Sequence, residues 1–579
     1  MLQQDSLNNL RHSAAHLLAA AVMELWPDTK RVIGPPIEDG FYFDFEFSQP
    51  ISDKDFAKIE QKMHELAKTW EKFERHELSA EDAKKEYPGN QYKLELIDEL
   101  AKANETITFY KSGSYWDLCL GGHVENPKEE LKHFKLLKMA GAYWRGNEKN
   151  TMLTRIYGTI FPSKEDLAQY LKNLEEAKKR DHKKLGKELE LFTISSEVGQ
   201  GLTLWLPNGA IIRREIENYM VQEQEKMGFK HVYSPHIGLK SLWEKSGHWD
   251  LYREKMYSPM DIDGVEYLVK PMTCPMHIQS YEFKPRSYRE LPFRIAEVAS
   301  VYRYEQSGEL NGLLRVRAFT QDDAHIFCTQ EQTVDEFLSV FYFIQNLYKT
   351  FGFTEYKVRL GIRSKKEKYL GDDTLWEKAQ DKIIEALKKS GADYYISEGD
   401  AAFYGPKADF MIKDALGREW QCGTVQVDFM LPERFGLKYI DHDGKEKTPV
   451  MIHRAPLGSL ERFLAILIEN YAGVFPVWLA PIQAVIIPIS QDQNDYAEKV
   501  LVQVKAANVR VENWNEAESM QNRIRKAEKQ KIPYMLVVGK REEAEETIAV
   551  RTRGKNQSGT MAIEEFVSKI QREIREKAA

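Results

Sequence analysis

The run from Val301 to Cys328, VYRYEQSGELNGLLRVRAFTQDDAHIFC, constrains this chain more tightly than any other stretch. Ile295 to Tyr302 is rich in β-forming residues, Ser307-Gly308 and Asn311-Gly312 are turn signals, and Leu314 to Phe319 supplies a second arm, so the segment reads as a hairpin. Strand alternation would put Arg315 and Arg317 on one face, with Arg303 near the end of the opposing arm. Planar guanidinium forks match phosphate or carboxylate oxygens, so a converging set points to a polyphosphate. The same arginines would equally pair with Glu305 and Glu309 on a solvated hairpin, and the segment alone leaves both readings open. Directly after them, Gln321-Asp322-Asp323-Ala324-His325 concentrates the polar groups that hold a small polar ligand or a metal.

A chain of 579 residues is too long for one core, and at ~150 residues per domain it should divide into three or four units. Its formal charge of −7 excludes a global basic field, although local basic patches still suffice for RNA. Cys119, Cys274, Cys328 and Cys422 are scattered without a CxxC pair, which predicts a reducing, cytoplasmic compartment and metal or catalytic use. The N-terminus, MLQQDSLNNLRHS, has no signal-peptide core. The apolar run Val474 to Ile489 is broken by Pro476, Pro481 and Pro488, so no membrane span is expected.

Near the start, His12 and His16 of RHSAAH lie one helical turn apart on one face. Cys119-Leu120-Gly121-Gly122-His123 offers a second pair, with glycines that let backbone approach a ligand. By inventory, two histidines, a cysteine and a third histidine make a zinc site; a packed histidine pair beside an unrelated turn is the alternative. Lys93 and Asp117 are polar candidates for the same pocket. From Lys164 to Glu190 a charged pattern with Leu167, Tyr170, Leu171 and Leu174 at helical spacing predicts a connector, with Gly186 as its boundary.

Further on, Ala210 to Met227 is an amphipathic helix and Phe229 to Tyr233 a strand ending at Pro235. These, the arginine hairpin and Leu457-Gly458-Ser459-Leu460-Glu461-Arg462-Phe463 resemble the three signature motifs of class II aminoacyl-tRNA synthetases. KPMTCP (270–275), FTQDDAH (319–325) and VMIHRA (450–455) are similar to the threonyl-tRNA synthetase family, and the likeness covers nearly the whole chain. The resemblance implies an α+β multidomain fold. Its parts would be an α+β editing domain at 1–163, a helical connector at 164–190, an antiparallel-sheet catalytic core at 191–478 and a C-terminal α/β anticodon-binding domain at 479–579. It implies a homodimer with ATP, L-threonine and tRNA(Thr) as partners: threonine is activated to the adenylate, transferred to tRNA, and mischarged seryl-tRNA(Thr) is hydrolysed.

Residue by residue, the resemblance gives Arg303 the α-phosphate and carboxylate, Arg315 and Arg462 the distal phosphates, Phe319 the adenine face and Glu305 its edge, with Gln421 and Thr424 also on ATP. Mg2+ is expected with ATP. Cys274, His325 and His453 match the zinc ligands, one Zn2+ per subunit, whose open position takes the amino group and hydroxyl of threonine. Valine lacks that hydroxyl and would be rejected strongly. Met272, Gln321, Asp323, Tyr404 and Gln426 surround threonine, Lys407 joins the catalytic set, and His248 corresponds to the histidine of transfer to the tRNA ribose. Cys328 and Cys422 are left as structural.

Serine differs from threonine by one methyl, worth only ~1–3 kcal/mol, so a second, hydrolytic site is expected. His12, His16, Lys93, Asp117, Cys119 and His123 match the family's editing pocket, which implies a water-activating site without bound metal. Leu120 and Gly122 stand where the family usually shows Arg and Pro, and Ala318 where it usually shows Gly. Because His12 lies almost at the start, the family's N-terminal ubiquitin-like domain is expected to be lacking. Beyond Pro481, Ala484 to Pro488, Tyr496 to Ala507, Val509 to Val511 and Pro533 to Val538 predict a mostly parallel α/β unit. There the resemblance assigns Asn515, Arg525, Lys531, Glu542 and Arg551 to anticodon contact; ordinary surface charge is the alternative.

Overall fold

The computed structural model describes residues 2–364, 369–555 and 558–577, and the chain divides into two compact units, residues 1–175 and 176–579. That division falls inside the helix Lys164–Arg180. The expected connector is two helices, Lys164–Arg180 and His182–Glu188, because Asp181 leaves helical geometry and caps the second, its Oδ1 accepting from Lys183 N (2.7 Å) and Lys184 N (3.3 Å). Gly186 is no boundary. It lies inside the second helix, where a Cβ would come within 2.3 Å of the Phe192 ring, so the glycine is what allows that ring to pack.

The first unit is built on the helix Leu2–Leu25, whose small, strongly helix-forming stretch Ala14 to Val22 is buried throughout, His16 included. Against it lies a five-stranded antiparallel sheet in the order Lys30–Arg31, Gly40–Glu46, Met152–Ile160, Phe134–Tyr143, with Pro36–Ile37 paired to Gly40–Glu46. Phe41, Phe43 and Phe45 alternate into this core, as strand periodicity requires. A second antiparallel sheet, Glu74–Glu77, Thr108–Ser112 and Tyr115–Leu118, carries Asp117 and delivers Cys119 at its end.

The larger unit contains an eight-stranded sheet in the order Lys230–His231, Phe293–Tyr302, Ala318–Cys328, Val450–Ala455, Glu419–Asp428, Lys407–Lys413, Tyr356–Ile362, Tyr394–Glu398. It is antiparallel except for the pair at each edge. The hairpin arms pair from Phe293↔Phe327 to Tyr302↔Ala318. Their second arm starts four residues later than the sequence suggests. The Asn311-Gly312 turn closes on Arg315 (Asn311 N to Arg315 O, 3.1 Å), and Arg317 N bonds Gly201 O (2.7 Å) instead of a ladder partner, so Arg315 and Arg317 share no strand face.

One face of this sheet is covered by the helices Pro207–Lys226, Thr333–Thr350 and Leu460–Tyr471, whose Ile212, Ile216, Phe337, Phe341, Phe463 and Leu464 pack with Ala324, Ile326, Val425 and Ile452. The expected strand Phe229 to Tyr233 shrinks to Lys230–His231. Beyond it, a five-stranded sheet is mixed rather than mostly parallel: Ala484–Pro488 runs parallel to Val511–Asn513 and Tyr534–Val538, then Thr547–Thr552 and Ser558–Ala562 are antiparallel. The reason is the short connection through Lys540–Glu545, since a parallel crossover needs a dozen residues or more.

Candidate active site

Alternation along Ala318–Cys328 sends Phe319, Gln321, Asp323 and His325 to the sheet face away from the helices, where a cavity of about 590 Å³ opens. Neighbouring strands add Lys407, Gln421, Thr424, Gln426 and His453, held in register by the pairs His325↔His453, Gln426↔His453 and Lys407↔Gln426. Loops and helix starts bring His248, Met272, Cys274, Arg303, Glu305, Arg315, Tyr404 and Arg462 to the same cavity. Of the residues assigned from sequence to ATP, threonine, metal or catalysis, only His325 does not line it; that side chain is wholly buried beneath.

At the buried end, donor atoms of Cys274, His325 and His453 lie within 4.8 Å of one another. His453 Nε2 faces Asp428 Oδ2 at 2.8 Å, and His277 Nε2 faces Glu297 Oε2 at 3.2 Å. These carboxylates fix the protons on the two Nε2 atoms. His277 Nδ1 is then an acceptor for His325 Nδ1–H (2.7 Å), and His325 Nε2 and His453 Nδ1 turn lone pairs at each other across 3.0 Å. Such an arrangement repels unless a cation sits between. Burial and the neighbouring imidazoles of His453 and His277 hold His325 well below the usual histidine pKa, and burial with Asp323 and Asp428 pushes the Cys274 thiol up. An N, N, S donor set of this kind fits zinc, with His277 and Asp428 orienting the imidazoles from behind.

The arginines divide. Arg315 pairs with Glu309 (3.4 Å) and more loosely with Glu305 (3.7 Å), both of which also hold Lys255 at 3.1 Å, so the solvated-pair alternative describes this residue. Arg303 and Arg462 differ. Among the described residues neither pairs with a carboxylate: Arg303 Nε donates to Pro271 O (3.4 Å) and its guanidinium lies 5.0 Å over Phe319, while Arg462 donates to Leu314 O (3.2 Å) and Gln421 O (3.4 Å). Two uncompensated cations thus border one cavity wall. His248, its Nδ1 2.8 Å from Ser246 Oγ, is pushed down to about 3 by burial, with His453 and Arg303 adding to the effect, and is a neutral base. Tyr404 donates to Gln426 Oε1 (2.6 Å).

In the first unit, Cys119 Sγ stands 3.5 Å from His12 Nε2 and 3.3 Å from His123 Nε2, with His16 in the same cluster. The adjoining cavity measures about 700 Å³. Burial depresses all three imidazoles, His123 to about 3, and pushes the Cys119 thiol up to about 12. Behind them Asp117 is buried against Lys93 (2.9 Å), Arg31 (3.2 Å), Tyr87 (2.5 Å) and Tyr115 (2.8 Å). Gly122 has φ +83°, a conformation closed to the proline usual in the resemblance, while Leu120 is 77% exposed.

The anticodon candidates spread over the C-terminal sheet unit. Asn515 borders a polar depression, Arg525 is exposed on Met520–Lys529, Lys531 follows that helix, Glu542 caps Lys540–Glu545 through Gly539 N (3.0 Å), and Arg551 holds Glu528 (2.7 Å).

Over 584 aligned residues, 98% of this chain and 88% of the relative, the sequence is 50% identical to the threonine–tRNA ligase of Thermus thermophilus. The chain belongs to the threonine–tRNA ligase family. The relative from Dehalococcoides mccartyi is 49% identical over 99% of this chain and 98% of its own length. Residues 257–471 match the tRNA synthetase class II core domain (G, H, P, S and T), 483–573 the anticodon binding domain, and 107–157 the threonyl and alanyl tRNA synthetase second additional domain. Among solved structures, the RNA binding domain of threonyl-tRNA synthetase from Cryptosporidium parvum aligns with TM-score 0.66 and 37% identity over 68% of this chain and 98% of its own. A prolyl-tRNA synthetase from the same organism shares the fold, at TM-score 0.52 and 18% identity over 68% and 75%.

Sequence reasoning missed the groups behind this family's site. His277 had a visible signal, the Cys-x-x-His spacing of Cys274 and His277 on one helix. Arg359, Asp409 and Asp428 had none, because lone charged residues in strands carry no motif.

Proposed function

We propose that this chain activates L-threonine with ATP and transfers it to tRNA(Thr), with hydrolytic editing of mischarged seryl-tRNA(Thr). The observation that carries this reading is the juxtaposition, in one cavity, of the buried Cys274/His325/His453 donors and the uncompensated Arg303 and Arg462. ATP lies with its α-phosphate at Arg303 and its distal phosphates at Arg462 and Arg315, the last after exchanging Glu309 for phosphate; adenine rests on Phe319, with Glu305, Gln421 and Thr424 at its edges. Mg2+ accompanies the phosphates. Cys274, His325 and His453 would hold zinc, which would supply an open coordination position for the amino group and hydroxyl of threonine. Gln321, Asp323, Tyr404, Gln426 and Met272 close around that amino acid, holding its carboxylate toward Arg303 and Lys407 for attack on the α-phosphate. His248 then accepts the proton of the tRNA ribose hydroxyl.

In the first unit, His12, His16, Cys119 and His123, backed by Lys93 and Asp117, position and deprotonate a water for seryl-ester hydrolysis. We place the functional divisions at 1–163, 164–190, 191–478 and 479–579, the last reading the anticodon through Asn515, Arg525, Lys531, Glu542 and Arg551. The protein works as a homodimer; Tyr233, 93% exposed after the helix Pro207–Lys226, leaves a large ring free for a partner's surface. Cytoplasmic residence accords with four free cysteines, and no described helix is long and apolar enough to cross a membrane. Amino-acid-dependent pyrophosphate exchange tests the activation step on which the rest depends: threonine should stimulate it strongly and valine at least a hundredfold less, and indifference to threonine would sink the proposal.

A further inference from the structure

Where the connector enters the core, it brings in a histidine that the proposed chemistry does not use. His182 opens the helix His182–Glu188, is 1% exposed, and engages both ring nitrogens: Nε2 accepts the Leu313 N–H at 3.1 Å, and Nδ1 stands 2.8 Å from Glu469 Oε1. Accepting at Nε2 fixes the ring as neutral with its proton on Nδ1, so Nδ1 donates to Glu469. Glu469 is held in turn, its Oε1 accepting His182 N–H at 3.2 Å and its Oε2 the Arg418 guanidinium. Leu313 is wholly buried, and among the described residues no backbone carbonyl takes its N–H, so without the imidazole a buried donor is left unpaired. Two further contacts tie the connector to the same turn. Lys183 Nζ donates to Asn311 Oδ1 at 3.2 Å. Gly312 has φ +50°, and a Cβ there would come within 2.2 Å of His182 Nε2, so glycine is what lets the ring pass. The other side of the turn faces the cavity. Leu314 O accepts from Arg462 Nε (3.2 Å), Asn311 N bonds Arg315 O (3.1 Å), and Leu314, Arg315 and Val316 line the wall.

We propose that His182 is a positioning residue for amino-acid activation: by accepting the Leu313 N–H it holds the turn Asn311 to Arg315 in the shape that presents Arg462 and Arg315 to the phosphates of ATP. The inference rests on the ATP reading of this cavity. His182 does not line the cavity, so it acts through the turn and not on ATP itself. Its two nitrogens have separable duties. The Nδ1 bond anchors the connector to Glu469, whereas the Nε2 bond shapes the turn.

The test separates the two nitrogens in the full chain, by threonine-dependent pyrophosphate exchange with each substrate varied in turn. His182→Gln puts an amide oxygen near the Nε2 position and keeps an acceptor for Leu313; His182→Asn puts an amide nitrogen near the Nδ1 position and keeps only the Glu469 bond. His182→Asn should raise KM for ATP at least tenfold while threonine KM changes less than threefold, and His182→Gln should stay within threefold of wild type for both. Gly312→Ala displaces the ring from the turn with the histidine intact and should reproduce the ATP effect. Added to His182→Asn it should raise ATP KM less than threefold further, since both changes remove one contact. Asn performing as well as Gln, equal rises for both substrates, or fully multiplicative effects in the double variant would show a connector anchor and overturn the proposal. Should His182→Asn fail to fold, Gly312→Ala decides alone, and an unchanged ATP KM there overturns the role. Wild type without threonine-dependent exchange overturns the ATP reading and this role together; active wild type with unchanged variants overturns the role alone.

Discussion

Arg359→Met is the most informative single change outside the cavity lining. Asp409 is fully buried and gathers Thr424 Oγ1 (2.7 Å), Lys407 Nζ (3.0 Å) and Arg359 Nη2 (2.8 Å). The same Nη2 donates to Gln421 Oε1 at 2.7 Å. Arg359 therefore ties Gln421, on the proposed ATP side, to the buried carboxylate that also holds Thr424 and Lys407, without lining the cavity itself. A hydrogen bond from a charged donor contributes about 1.5–3 kcal/mol, so freeing Gln421 should raise KM for ATP by roughly ten- to a hundredfold. Threonine KM should change less than threefold, because Gln426 is held separately by Tyr404. Leaving Asp409 with Lys407 as its only cation also costs about 3 kcal/mol of stability. Pyrophosphate exchange with each substrate varied gives the split, and Arg359→Lys, able to make one of the two bonds, should recover part of it. An unchanged ATP KM in folded protein, or equal rises for both substrates, would refute the reasoning.

Cys274→Ala should remove the catalytic-core zinc and narrow threonine-over-valine discrimination by at least tenfold; a fully loaded, fully selective variant removes the assignment. His12→Ala should slow seryl-tRNA(Thr) deacylation at least a hundredfold while leaving pyrophosphate exchange intact, and unchanged deacylation counts against the pocket. Burial pushes the Glu461 carboxyl up to about 7 although it accepts Thr320 N–H at 2.7 Å. Between about pH 4.5 and 7 the folded chain therefore keeps a proton that the unfolded chain has released, and stability falls as pH rises through that window. Glu461→Gln cannot titrate, so its stability relative to wild type should grow by up to about 3 kcal/mol from pH 5 to pH 8 in thermal melts, and parallel curves would show the group to be uncoupled.

The sequence carried the site's inner surface because those residues sit in contiguous motifs, FTQDDAH on one strand and KPMTCP at one helix start. What it did not carry depends on long-range register. Asp428 matters because Glu419–Asp428 pairs beside His453, and Arg359 because its strand lies next to Asp409; neither neighbour is near in sequence. Arg315 and Arg317 were read as strand residues from alternation, but the Asn311-Gly312 turn and Gly201 O claim their backbone. The first three C-terminal strands were legible as strands, Thr547–Thr552 and Ser558–Ala562 were not, and the direction of the sheet depends on connection length.

Asp322 and Asp323 are chemically identical neighbours with opposite duties: the first is buried against Arg454 (3.2 Å) and bonded by Gln224, the second accepts from Thr273 at the cavity. For anyone redesigning the amino-acid preference of this enzyme, the strand is a comb in which every other tooth points to the pocket side. Of these, Gln321 and Asp323 are the positions to vary, with Phe319 and the donor His325 kept, whereas a library that randomises 322 or 324, or inserts one residue, scrambles the hydrophobic core and the pocket together.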